Sequence, residues 1–402
     1  MPRLLQMNST LGRGSTGRIA EQISAAAQSE GWDSYIAHGP RFVGETNALA
    51  YQVTGRIGEL GHILQSRIFD RHGLGSSRET KRLLSWIDNL QPDVVHIHNI
   101  HGYYVNYDLL LGYLAKKEYP TVITMHDFWL MTGHCAYINK RCDKWKTGCG
   151  QCPRLREYPA SVLDRSRKNF LLKKELFTAF KKGKLVLVPV SEWLAGYARE
   201  SLLGECNIVP IPNGINVNVF RPFEGEHFGR CQAIDWDKYT IITVADRWTG
   251  ANGFGDIIRL SGILPDDMQI VMVGLNEKQL RDLPHNIIGI GHTDNVAQLV
   301  ELYSAADVLF NASTEVTFGM VTAEAMACGT PAIVLRGTAG DEIVDEATGF
   351  AVDTIEEIPE LVYRCRAQAA QYKSKCRERI VREFNAVAQY SKYIALYNRF
   401  FQ

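Results

Sequence analysis

Long apolar runs are missing from this chain. No stretch of its 402 residues approaches the length of a membrane span. The opening MPRLLQMNSTLG lacks the apolar core of a signal peptide, so a cytoplasmic protein is expected. Net charge is missing too: 44 basic residues balance 44 acidic ones. No global field draws such a chain to nucleic acid or acidic lipid. There is no internal repeat and no low-complexity tract, which excludes repeat arrays and compositional linkers. What remains is an ordinary globular composition, 46% hydrophobic and 22% charged. The length suits two domains of usual size.

Nine cysteines are present, unevenly placed. Cys206, Cys231, Cys328, Cys365 and Cys376 are scattered and read as ordinary reduced thiols. Cys135, Cys142, Cys149 and Cys152 crowd one segment, CAYINKRCDKWKTGCGQC, with the spacing C-x6-C-x6-C-x2-C. Four thiolates in one short loop can close tetrahedrally on a structural zinc ion. Disulfides or unrelated thiols are the alternatives, and a cytosolic location disfavours disulfides.

Short apolar runs alternate with helical patterns, which predicts α/β architecture with parallel sheets covered on both faces. Strands are expected at residues 4–8, 34–38, 94–98, 121–125 and 185–190. A second set is expected at 241–245, 269–274, 287–291, 308–311 and 331–335. Helices are expected at 17–29, 78–90, 164–184 and 296–305, and again from 377 to the end. The segment IPNGINVNVFRP, residues 211–222, has prolines around an Asn-Gly turn and no helical period. It marks a boundary between domains 1–212 and 213–385, with a terminal helix over 386–402.

Candidate binding groups fall where strands end. NSTLGRGSTGR, residues 8–18, places Gly12, Gly14 and Gly17 between the first strand and a helix. Such a loop lets a ligand approach backbone amides. It is not the dinucleotide fingerprint, because the spacing is wrong. His126 and Asp127 end the strand TVITMHD, so the histidine is expected to face a ligand. His96 and His98 end another strand. Metal binding by these two with His101 is disfavoured on the argument that alternate strand positions face opposite sides; a structural or acceptor-side role is expected. In the helix expected at 164–184, Arg165, Arg167, Lys168, Lys173, Lys174, Lys181, Lys182 and Lys184 alternate with apolar residues. This reads as a solvated face over a packed stripe. A sharper reading is attraction to an anionic membrane.

The stretch STEVTFGMVTAEAMACGTPAIV, residues 313–334, carries the most information. Glu315 and Glu324 flank Phe318-Gly319, strong helix formers follow, and Gly329 with Pro331 stop the helix. This segment, and the MHDFW run at 125–129, resemble retaining glycosyltransferases of family 4, of the capsule and exopolysaccharide type. The resemblance implies the GT-B fold, two doubly wound Rossmann-like domains facing across a cleft that closes on the donor. It implies transfer of a hexosyl unit from a UDP or GDP sugar to a glycan or lipid-linked acceptor. Arg247 would neutralise the diphosphate, Glu324 would bind the ribose, and Glu315 and His126 would orient the sugar. Gly14, Gly17, Gly319 and Gly340, the last in the loop RGTAGDE, would bring amides to the donor, and residues 290–293 would frame the base. The terminal helix would return to the first domain. No catalytic cofactor or divalent metal is called for, and peripheral association with the inner membrane face fits a lipid-linked acceptor.

Two departures stand out. Where the family has a lysine five residues after the arginine, this chain has Asn252. The family's E-x7-E pair would place its first acid at Val316, and Glu315 lies one residue early. A nucleotide-sugar 2-epimerase, or a non-catalytic partner with a degenerate donor site, is the alternative.

Overall fold

The computed structural model describes residues 1–138, 142–223, 225, 234–250, 252–293 and 295–401. Cys231 falls outside them. The chain divides into two compact units. One comprises Met1–Pro212 with Val387–Gln402, the other Asn213–Ala386.

The first unit is built on seven strands: β1 (Arg3–Asn8), β2 (Asp33–His38), β3 (Leu49–Gln52), β4 (Val94–Ile97), β5 (Thr121–Met125), β6 (Leu185–Pro189) and β7 (Asn207–Ile208). Their order is β3-β2-β1-β4-β5-β6-β7, every pairing parallel. β4, β5 and β6 are buried at every position. That is what continuous Val/Ile/Leu runs require when helices cover both faces. Each such side chain contributes about 1.5–3 kcal/mol on leaving water. The order reverses between β1 and β4, so the carboxyl ends of these strands open a crevice suited to a ligand.

The second unit repeats the plan with six strands: β8 (Tyr239–Val244), β9 (Met268–Val273), β10 (Ile287–Ile290), β11 (Val308–Asn311), β12 (Ala332–Leu335) and β13 (Gly349–Val352). The order is β10-β9-β8-β11-β12-β13, again parallel throughout. Its switch point lies between β8 and β11. One hydrophobic cluster, including Ile241, Ile257, Leu260, Met272, Phe310 and Tyr372, fills the space between sheet and helices.

Three strands escape the sequence pattern. β3 is an exposed edge strand, β7 has two residues, and β13 opens on glycine. The helix expected at 164–184 is shorter, Ser166–Thr178, and Gly183 turns the chain toward β6 with φ +83°. The final helical segment is two helices, Ala369–Glu383 and Ala386–Asn398. Between them, Ile215 donates to the Phe384 carbonyl and accepts from Ala386, at 2.7 and 2.9 Å. The second helix packs on the first sheet. Tyr393 donates or accepts at Thr124 (3.1 Å), and the Tyr397 hydroxyl meets His96 Nδ1 at 2.6 Å.

Candidate functional site

At the carboxyl end of the first sheet, the three glycines of the loop after β1 divide their roles. A Cβ on Gly12 would lie 2.3 Å from the Glu45 carbonyl oxygen, and one on Gly17 would lie 2.8 Å from Thr10 Oγ1. Both serve the packing of the loop on its own neighbours. Gly14 alone of the three borders open space. It begins the helix Gly14–Ser29, whose N-cap, Arg13, makes no side-chain cap.

β4 and β5 deliver a chain of polar side chains to this end. His98 Nδ1 lies 3.3 Å from His126 Nε2, and His98 Nε2 meets Gln6 Oε1 at 2.9 Å. Gln6 in turn donates to the Ala20 carbonyl. The expectation that His96 and His98 face opposite sides is corrected. Positions i and i+2 share one face, and the two rings stand 4.1 Å apart. His96 points into the core, between Thr124 Oγ1 and Tyr397. His101 lies elsewhere, paired with Asp127 at 2.8 Å. Burial, reinforced by His126, pushes His96 well down. Burial also pushes His126 down to about 4, although Asp127 works against it. His126 is therefore neutral at pH 7, able to donate or accept a hydrogen bond but carrying no charge. Burial opposes the charge on Asp127; His101, the Trp129 amide and His126 outweigh it and hold the carboxyl below its ordinary value.

Lys173, expected on a solvated face, is 1% exposed. Its ammonium donates to the Trp129 and Thr132 carbonyls and lies 3.4 Å from the centre of the Trp129 ring. Burial lowers its pKa to about 7. The remaining cations of this helix do lie outward: Arg167, Lys168 and Lys174 are exposed. They line a groove of about 1380 Å³ with Phe69, Leu163 and Leu171.

In the second unit, the loop after β8 carries Arg247. Its guanidinium is exposed and has no partner among the described residues. Asn252 turns its amide back to the Arg247 carbonyl at 2.6 Å, closing the loop in place of extending a charge from it. Gly253, at φ +79°, then starts the helix Phe254–Ser261. A Cβ there would lie 2.3 Å from the Ala312 carbonyl oxygen, so only glycine lets this loop touch the one after β11.

The loop after β11 runs through Glu315 and Phe318 to Gly319, at φ +99°, and into the helix Met320–Ala327. Glu315 is 8% and Glu324 6% exposed. Neither is a solvated surface carboxylate. The Tyr303 hydroxyl lies 3.4 Å from Glu324 Oε2. Asn311 at the strand end donates to Thr322 Oγ1 at 3.0 Å, fixing strand to helix. Ala339, after β12, donates to the Val316 carbonyl at 3.3 Å. Loops after β8, β11 and β12 are thus joined at one end of one sheet. Gly340 is buried and donates its N–H to Thr338 Oγ1 at 3.2 Å, so this amide is already taken within its turn. The carbonyls of Ile290 and Gly291 accept from Gly274. An Asp-x-Asp pair, Asp235 and Asp237, stands before β8, at the opposite end of the strands, where Asp235 accepts from the Asp237 amide.

Residues 16–219 match the family model for Glycosyltransferase Family 4, half of the chain. The chain belongs to glycosyltransferase family 4. Residues 254–367 match a second model, glycosyl transferases group 1. As a member of the family it is a hexosyltransferase of the GT-B fold, with the two Rossmann-like units described above. A putative colanic acid biosynthesis glycosyl transferase of Escherichia coli K12 is 25% identical over 92% of this chain and 91% of its own. The GDP-mannose-dependent α-(1-6)-phosphatidylinositol dimannoside mannosyltransferase of Mycobacterium tuberculosis is 28% identical over 46% of this chain and 51% of its own. Among solved structures, sucrose-phosphate synthase from Thermosynechococcus elongatus superimposes with a TM-score of 0.71 at 16% identity, covering 100% of this chain and 99% of that one. Anabaena HepE in complex with UDP and glucose gives 0.66 at 15% identity, covering 98% of each chain. At such identities these neighbours establish the fold alone.

Sequence reasoning missed Asp70, His134 and the burial of Lys173. Only the His134-Cys135 adjacency hinted at the first two, since Asp70 lies 64 residues away in sequence.

Proposed function

We propose that this family 4 enzyme transfers a hexosyl unit, with retention, from a UDP or GDP sugar to a glycan or lipid-linked acceptor in surface-polysaccharide biosynthesis. The observation that carries the reading is the placing of an exposed Arg247, without a partner among the described residues, with the buried carboxylates Glu315 and Glu324 on loops joined at one switch point. Breaking the glycosidic C–O bond builds negative charge on the diphosphate and positive charge on the sugar. Arg247 would answer the first through charge-assisted hydrogen bonds. Glu324 would accept from ribose hydroxyls, and Glu315 would orient the sugar. Gly319, at φ +99° ahead of the helix Met320–Ala327, would bring backbone amides to the donor. His126, on the N-terminal unit, supplies a neutral imidazole for sugar hydroxyls. The E. coli relative's name and the UDP and glucose held by HepE support donor class and pathway type.

The acceptor side favours a membrane. The helix Arg56–Phe69 turns Ile57, Leu60, Leu64 and Ile68 to solvent, Ile57 at 88% exposure. Val162 and Leu163 donate their amides to the Arg67 and Ile68 carbonyls and extend the same exposed apolar strip. Together with the exposed Arg167, Lys168 and Lys174, this is the composition of a surface that lies on anionic lipid. Among the described residues no helix is long and apolar enough to cross a membrane.

A thermal-shift screen against nucleotide sugars, followed by transfer assays, tests the reading. A UDP or GDP sugar is expected to raise the melting temperature, and Arg247→Ala to abolish the shift. Absence of any nucleotide-sugar binding would favour a non-catalytic partner. Free epimerised sugar formed without acceptor would favour an epimerase.

A further inference from the structure

We infer that the cysteine loop of the N-terminal unit is a structural zinc site, held by Cys135, Cys142, Cys149 and Cys152. All four cysteines line one cavity of about 20 Å³, together with His134 and Arg154. That volume admits a single ion or water. Cys135 Sγ and Cys152 Sγ stand 3.9 Å apart. A disulfide needs about 2.05 Å, whereas two thiolates on one tetrahedral zinc, each about 2.3 Å from it, lie about 3.8 Å from each other. One edge of the tetrahedron is therefore already at its length. As placed, no set of three or more ligating groups among the described residues is close enough to hold a metal. Zinc would draw Cys142 and Cys149 inward to complete the set.

The surroundings are built for a bound anion-rich cluster. Cys149 Sγ already accepts from the Gly133 amide at 3.2 Å. Lys144 donates to the Gly150 and Gln151 carbonyls, 2.9 Å each, and so fixes the turn between the last two cysteines. The Cys152 amide is pinned by Asp164. Four thiolates on zinc carry two net negative charges; the buried Lys173 beside Cys149 would offset part of them, and Arg154 in the cavity wall shares its charge with Glu157. His134 gives an independent indication. Its Nδ1 is held by Asp70 Oδ1 at 2.6 Å, both side chains 1% exposed. Its Nε2 is buried with no partner among the described residues, and His134 lines the same cavity. A buried imidazole nitrogen left unmatched is costly; with Nδ1–H given to Asp70, Nε2 presents a lone pair, which a cation or a water held in the cavity would take. A carboxylate behind a histidine at the edge of a metal site is a recurrent outer-shell arrangement.

The test is metal content and cobalt spectroscopy on the full chain, purified under reducing conditions. One zinc per chain is expected. Replacement by cobalt(II) should give the d–d bands of a tetrahedral site and the intense sulfur-to-metal charge transfer of four thiolates. Cys149→Ser and Cys142→Ser should each lose the metal, while Cys206→Ser, remote from the loop, should keep it. If the serine variants fail to fold, the wild-type stoichiometry and cobalt spectrum still decide the matter. Wild-type protein lacking zinc and giving no thiolate–cobalt spectrum would overturn the proposal. So would a Cys135–Cys152 disulfide found by mass spectrometry in freshly isolated protein. Donor binding by the C-terminal unit is read separately, so failure here leaves the transferase reading intact.

Discussion

Lowering the pH from 7 to 5 should destabilise the N-terminal unit by several kcal/mol, and His62 supplies a measurable share. Its Nε2 accepts the Gly75 amide at 3.1 Å and its Nδ1 meets Ser76 Oγ at 3.0 Å. An imidazole that accepts through one nitrogen must be neutral. Burial, aided by Arg71 and partly opposed by the Tyr103 backbone, lowers its pKa from 6.5 to about 4. The unfolded chain therefore takes up a proton below about pH 6.5 that the folded chain refuses until about pH 4. Stability is full above the upper value and falls as pH drops between the two. At pH 5 the loss from this one residue is about 2 kcal/mol. For a unit of over 200 residues, about 2 kcal/mol corresponds to a melting shift of about 4–8 °C. His72, His96, His98 and His126 are shifted in the same direction and add to it. Calorimetry at pH 7 and pH 5 measures the drop. His62→Gln, which keeps an acceptor for Gly75, should shrink it by about 4–8 °C. Equal melting temperatures at the two pH values, or an unchanged drop in the variant, would refute the reasoning.

Glu324→Ala should raise the dissociation constant for a nucleotide sugar about tenfold or more, the worth of a charge-assisted hydrogen bond. It should also erase any discrimination against donors lacking ribose hydroxyls; calorimetric titration with both donors checks this. Gly253→Ala should cost about 2–5 kcal/mol, because a Cβ at φ +79° meets the Ala312 carbonyl; the melting of the C-terminal unit reports it. Asp70→Ala should cost about 3–5 kcal/mol in the N-terminal unit, since it strands His134 and the Arg165 amide. Asp70→Asn should lose less, as urea titration would reveal. Asn252→Lys should tighten diphosphate binding by adding the missing cation; weaker binding would mean that closure on the Arg247 carbonyl matters more than charge.

Most strands of both sheets were legible because a parallel strand buried on both faces must be written as a near-continuous apolar run, as in LVLVP or AIVL. Edge strands such as LAYQ have no such obligation and stayed hidden. Glu324, Arg247 and the glycines were visible because strand-end loops advertise themselves through punctuation. The use made of each glycine was not. Gly12 and Gly17 serve neighbours at 45 and 10, and those approaches depend on tertiary structure. Lys173 looked like its exposed neighbours because burial of one face of a short helix is decided by what packs on it, here Trp129. The His134–Asp70 pair joins segments 64 residues apart and leaves no local trace.

The helix Ala386–Asn398 completes the first sheet with Tyr393 and Tyr397, although it is translated after the whole of the second unit. The N-terminal half of the polypeptide therefore emerges from the ribosome with His96 and Thr124 still lacking their tyrosine partners. It must wait, incompletely sealed, while about 170 further residues are made. A premature stop near the 3′ end of the message would injure the half synthesised first.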